Sequence, residues 1–124
     1  MTPAQSRRAA LVCLTLAAIV LAVMLTGCAS HAAYTPTDWA VLTCAVAGSS
    51  ADVWTTEQAL DGGGYERNPV FGSDPSDGKL IAGKVVALLA CVAMGELEPT
   101  WRVWMFGFLG GTGAAAAWHN EREY

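Results

Sequence analysis

The chain has 124 residues, enough for one small domain and too few for an enzyme with separate cofactor and substrate lobes. Hydrophobic residues make up 53% and charged residues 15%, with a mean hydropathy of +0.35, against roughly 45–50% and about 25% in an average soluble domain; so much apolar surface excludes intrinsic disorder as the main state and points to a membrane. A net charge of −4 with seven basic residues speaks against nucleic-acid binding, because a polyanion is held by clustered cations.

Arg7 and Arg8 precede an uncharged run from Ala9 to Leu25, the charged n-region and apolar h-region of an export signal. Leu25-Thr26-Gly27-Cys28 then resembles the bacterial lipobox, in which an apolar residue, two small residues and a cysteine end the signal. The resemblance implies that diacylglycerol is joined to the Cys28 thiol and that residues 1–27 are removed. An uncleaved signal anchor is the competing reading. Each buried acyl CH₂ adds about 0.8 kcal/mol to membrane affinity, so two or three chains anchor stably. Ala29 rather than Asp follows the cysteine, which by resemblance to enterobacterial sorting does not retain a lipoprotein in the inner membrane unless a spanning helix follows. Without residues 1–27 the chain keeps five basic and eleven acidic side chains, a net charge of −6, which repels anionic headgroups.

Residues 28–37 read as a short polar tether and 38–124 as a helical domain. Thr37 or Asp38 is the expected N-cap of a first helix over about 39–60, on which Ala40, Cys44, Gly48, Asp52 and Thr56 repeat at spacing four, with Ala47, Ala51 and Thr55 beside them. Such a small-residue ridge lets a neighbouring helix approach closely. The Gly- and Pro-rich segment 61–78 cannot continue a helix and forms a long loop, where function often resides. A second helix is predicted over about 79–97, ended by Glu98-Pro99-Thr100, and a third over about 101–118. The third carries Gly107, Gly111 and Ala115 at spacing four, a surface for association with itself or another membrane protein. Trp101, Trp104 and Trp118 lie near its ends, as aromatic anchors at a bilayer interface would.

The fold expected is therefore all-α: a signal and lipid-anchor segment followed by a small three-helix membrane bundle with a long Gly/Pro loop. The apolar runs are short for a bilayer, which takes about 20 residues to cross. If all three span, Cys28 and the Glu96–Thr100 turn lie outside, and the 61–78 loop, Lys79, Lys84 and the tail lie inside, in line with the positive-inside tendency. A periplasmic helical domain held only by its lipid is the alternative, and would place the protein at the outer membrane of the envelope rather than the inner. Cys44 and Cys91, both in apolar runs, are expected as buried small hydrophobes rather than a disulfide.

Asp52-Val-Trp-Thr55-Thr56 followed by Gly64-Tyr65-Glu66-Arg67-Asn68-Pro69 resembles a pattern of small uncharacterised bacterial and phage membrane proteins, with an Asp-x-x-Thr on a helix and a Glu-x-Asn-Pro in the next loop. The resemblance implies a fold and a set of polar positions, extending to Asn120, and no activity. From the residues themselves, a bare Asp52 on an inward ridge costs at least about 2.5–3.5 kcal/mol in a membrane, so it must be paired. Thr55, Thr56, Asn68, Lys84, His119 and Asn120 are its candidate partners. One outcome is a proton-linked pocket with Asp52, Glu66 and His119 titrating; the other is a clamp in which Asp52, Glu66 and Asn68 tie down the loop.

No metal-ligand spacing, phosphate loop or nucleophile–base arrangement occurs in the sequence, so neither cofactor, metal nor enzyme activity is expected. The sequence points to a lipid-anchored membrane protein of the bacterial envelope with a structural or accessory, non-enzymatic role. The alternatives are a phage-type envelope factor, acting in superinfection exclusion or lysis, and a small transport or ion-leak element built around Asp52.

Overall fold

A computed structural model describes residues 32–66, 70–72 and 75–123. The signal, the lipobox cysteine Cys28 and the loop residue Asn68 lie outside the described residues. Three α-helices account for nearly all of the rest, and no strand occurs among the described residues: α1 is Pro36–Asp61, α2 is Asp77–Leu97 and α3 is Arg102–Glu123, with a 3₁₀ turn over Pro99–Trp101 between the last two.

The start of α1 corrects the expected cap. Thr35, not Thr37 or Asp38, is the N-cap. Its hydroxyl accepts from the Asp38 N–H at 3.1 Å while the Asp38 carboxylate accepts from the Thr35 N–H at 2.8 Å. Pro36 fills the first helical position, where its missing donor is not needed. Asp38 is thus the third helical residue of a reciprocal capping box. At the far end, Gly63 adopts φ +89°, a left-handed conformation that a side chain would strain, and the N–H groups of Gly62, Gly63 and Gly64 close on the last carbonyls of α1. Ser76 caps α2, its hydroxyl accepting from the Lys79 N–H.

α3 runs five residues beyond its expected end at Trp118. The charged tail contains no breaker, and the Arg122 guanidinium lies 3.8 Å from the Trp118 ring centroid one turn back, so the last turn is supported by stacking and by a cation near the negative end of the helix.

α1 and α3 make the most extensive contact in the molecule, with α2 set against both more sparingly. Gly48 on α1 meets Gly110 and Gly113 on α3: a methyl group added at Gly110 would lie 2.8 Å from the Cys44 carbonyl, and one at Gly113 2.6 Å from Gly48. These distances leave no room for a side chain, so the helices touch backbone to backbone. The inward face of α3 is Arg102, Phe106, Gly110, Gly113 and Ala117. The predicted stripe of Gly107, Gly111 and Ala115 is on the opposite, exposed face, and added methyl groups at Gly107 and Gly111 would meet nothing within 4 Å. On α1 the predicted ridge is inward at Gly48, Asp52, Thr55 and Thr56, whereas Ala40, Cys44 and Ala47 are exposed. Toward the N-terminus the buried stripe departs from a spacing of four and drifts through Leu42 and Ala45, as a helix of 3.6 residues per turn requires. Cys44 and Cys91 are free thiols, and Cys44 is exposed rather than buried.

Only α2 is long and apolar enough to cross a membrane among the described helices: it has 21 residues, and its most apolar 18 have a mean hydropathy of 2.0. α1 carries four carboxylates, at Asp38, Asp52, Glu57 and Asp61, and α3 is built largely of Gly, Ala and Trp between Arg102 and a charged tail; these compositions keep both less hydropathic than α2.

Candidate functional site

Polar side chains from all three helices meet toward the end of the bundle where α1 and α3 finish. Asp52, 8% exposed, stands on the inward stripe of α1, and the Lys84 ammonium reaches it from α2 to form a salt bridge. Thr56, one turn on from Asp52, donates to the other carboxylate oxygen at 3.5 Å. From α3, the Asn120 amide donates to the Thr55 and Thr56 hydroxyls at 3.2 and 3.0 Å. A continuous set of hydrogen bonds therefore links α3 through α1 to α2. Thr55 also donates back to the Ala51 carbonyl at 3.0 Å, which fixes its hydroxyl as an acceptor for Asn120.

Beside this set lies a cavity of about 220 Å³. Asp52, Thr56, Lys84 and Asn120 line one side, Glu66 and His119 contribute further ionisable groups, and Phe71, Leu80 and Leu60 form apolar wall. Five of the seven polar positions singled out in the sequence, Asp52, Thr56, Glu66, His119 and Asn120, line one space; Thr55 is joined to it through Asn120, and Asn68 lies outside the described residues. Among the described residues, Asp52 pairs with Lys84. Lys84 is named in the sequence only as one candidate partner among several, and Tyr65 and Phe71 at the cavity carry no sequence signal beyond their position in the long loop. Among the described residues no group of three or more His, Cys, Asp or Glu side chains is arranged to hold a metal ion.

No family model, curated protein or solved structure matches the chain. The site must be read from its own geometry.

A second polar centre, which sequence reasoning missed, occupies the opposite end. Arg102 is 1% exposed. Its guanidinium donates to the carbonyls of Gly95 at 3.0 Å and Ala32 at 2.8 Å and to the Glu96 carboxylate at 3.2 Å, with Asp38 at 3.9 Å and the Tyr34 ring centroid 4.0 Å from its central carbon. Burial, followed by the Glu96 carboxylate beside it, pushes the Tyr34 phenol up to about 12, so the ring stays neutral beneath the cation at any physiological pH. The available signal was Arg102 itself: a cation at a helix N-terminus opposes the helix dipole and is expected there only if other groups hold it.

The Asp52–Lys84 link is testable by a double-mutant cycle. Asp52→Asn and Lys84→Met are each expected to destabilise the fold more than the pair together, with a coupling of about 0.5–3 kcal/mol in detergent-solubilised protein. Additive effects would show that the two side chains act independently.

Proposed function

We propose that the chain is an exported, lipid-anchored membrane protein of the bacterial envelope whose helices form a bundle with polar contacts inside and apolar surface outside, acting as a structural or accessory component without enzymatic activity. The observation that carries this reading is the inverted distribution of side chains. α2 has only 22% of its most apolar window buried in the bundle, and Trp104, Phe108, Val86 and Trp118 are more than half exposed, at 78, 74, 66 and 57%. Meanwhile Asp38, Asp52, Thr55, Thr56 and Arg102 are buried. In water this arrangement is costly; in lipid it is the favourable one, since polar groups find partners only inside. Membrane association through α2 is the part of this reading with direct support from length and composition. The spanning of α3 rests on its exposed Val103, Trp104, Phe108 and Trp118, and that of α1 on the pairing of Asp38 with Arg102 and of Asp52 with Lys84 inside the bundle. The exposed face of Gly107, Gly111 and Ala115 is the surface through which the bundle associates with a second copy or another membrane protein.

The lipid anchor has its own test. Cys28→Ala is expected to abolish palmitate labelling and to leave the 27-residue signal attached, seen as a larger species on a gel; a normally processed mutant would refute lipidation. Membrane insertion is tested by alkaline carbonate extraction of the chain exported behind a cleavable signal without a lipobox, so that neither signal nor lipid remains; it should stay in the pellet if the helices are embedded and be released if they are not.

The cavity beside Asp52 and Lys84 favours one second reading, a small transport or ion-leak element. Under that reading, overexpression collapses the membrane potential and Asp52→Asn restores it; under the accessory reading the potential is unchanged in both.

A further inference from the structure

The Arg102 end of the bundle turns its charges inward and its apolar side chains outward. Arg102 pairs with the buried Asp38 and the partly exposed Glu96, and the exposed Glu98 carboxylate accepts from the Thr100 hydroxyl of its own turn at 2.8 Å. Outside them stand Leu97 at 86%, Trp101 at 50% and Trp104 at 78% exposed. The same guanidinium holds the Ala32 carbonyl, and Cys28 is four residues before Ala32, at most about 14 Å of extended chain. The chain that would carry the lipid therefore leaves the fold at the corner with the most exposed apolar side chains.

We propose that this corner is a lipid-docking surface, with Arg102 as the positioning residue that pins the tether so that the acyl chains on Cys28 and the side chains of Leu97, Trp101 and Trp104 enter the same membrane leaflet. The proposal rests on the lipoprotein reading for the acyl chains. The occupant is a bilayer interface because indole rings favour the headgroup level, and because the short tether leaves the acyl chains no distant leaflet to reach. Arg102 suits the role because its planar fork bonds two backbone segments and a carboxylate at once, which a lysine cannot do.

The test uses the full chain, expressed with its signal in a bacterial host and reconstituted in phosphatidylethanolamine–phosphatidylglycerol vesicles. Trp39→Phe, Trp54→Phe and Trp118→Phe leave Trp101 and Trp104 as the reporters. Lipids brominated near the carbonyl are expected to quench them several-fold more than aqueous acrylamide does, at all protein-to-lipid ratios. Free quenching by acrylamide would overturn the proposal, as would lipid quenching that disappears as protein is concentrated, the sign that a second copy covers the corner. In Arg102→Lys, added protease should cut residues 29–35 several-fold faster than in the parent; equal rates would remove the pin. If that variant does not accumulate, Glu96→Gln, which takes away one carboxylate partner of the guanidinium, is read the same way. The mass of the N-terminal peptide separates the two ideas: an unmodified Cys28 refutes the lipoprotein reading and the shared leaflet, whereas an acylated Cys28 with water-exposed Trp101 and Trp104 refutes the docking surface alone.

Discussion

Gly110→Ala is expected to destabilise the protein by about 1–3 kcal/mol, whereas Gly107→Ala, less than one turn earlier on the same helix, should stabilise it by up to about 1 kcal/mol. The first change places a methyl group 2.8 Å from the carbonyl carbon and oxygen of Cys44 and 2.9 Å from the Ala45 nitrogen. All three are backbone atoms within a helix, so none can rotate aside, and α1 and α3 must separate along their whole contact. The second meets nothing within 4 Å and gains only the better helix propensity of alanine. Reversible unfolding in mixed micelles, followed by circular dichroism, reads both. Equal destabilisation by the two substitutions would show that α1 and α3 do not meet through Gly110. If the Gly107 face also mediates self-association, cross-linking of Gly107→Ala will weaken while the fold strengthens, which separates association from folding.

Arg102→Met should cost about 3–5 kcal/mol, the range for removing one partner of a buried ionic group. The substitution retains much of the volume but leaves the Asp38 and Glu96 carboxylates without their cation and the Ala32 and Gly95 carbonyls without a donor. The loss is one of orphaned partners rather than of a missing attraction. It follows that the triple variant Asp38→Asn, Glu96→Gln, Arg102→Met should recover part of the stability. A single Arg102→Met variant as stable as the parent would show that the guanidinium is solvated rather than buried.

The helical class, the order of the three helices and the turn at Pro99 follow from apolar runs and breakers, and α2 lies within two residues of its expected bounds at each end. Helix ends were harder where side-chain chemistry decides them. Thr35 competes with Thr37 and Asp38 as a cap, and only the reciprocal bond to Asp38 selects it. The end of α3 depends on Arg122 stacking over Trp118, a contact one turn long that charge composition hides. At the site, burial arguments for Asp52 demand a partner, but that Lys84 reaches it depends on how α2 is placed against α1, which is a property of the packed bundle. Glycine spacing carries the same ambiguity. Gly107-x-x-x-Gly111 is the more regular pattern, yet Gly110 and Gly113 face α1, because Arg102 and Phe106 set the phase of α3 by being the side chains that need burial.

Two fastenings on α2 have a consequence for how that helix can move. Lys84 is tied to Asp52, and the backbone at Gly95 is tied to Arg102. Eleven residues separate them, close to three full turns and about 16 Å along the axis, so both lie in one rotational phase. Lys84 stands in the inward row between Leu80 and Leu88, ahead of Val92, so a one-turn slip would carry the lysine into a leucine's place and break both ties together. The two ties therefore set the height and the rotation of α2 against the α1–α3 pair together, so its ionic contacts act as an indexing device for one register.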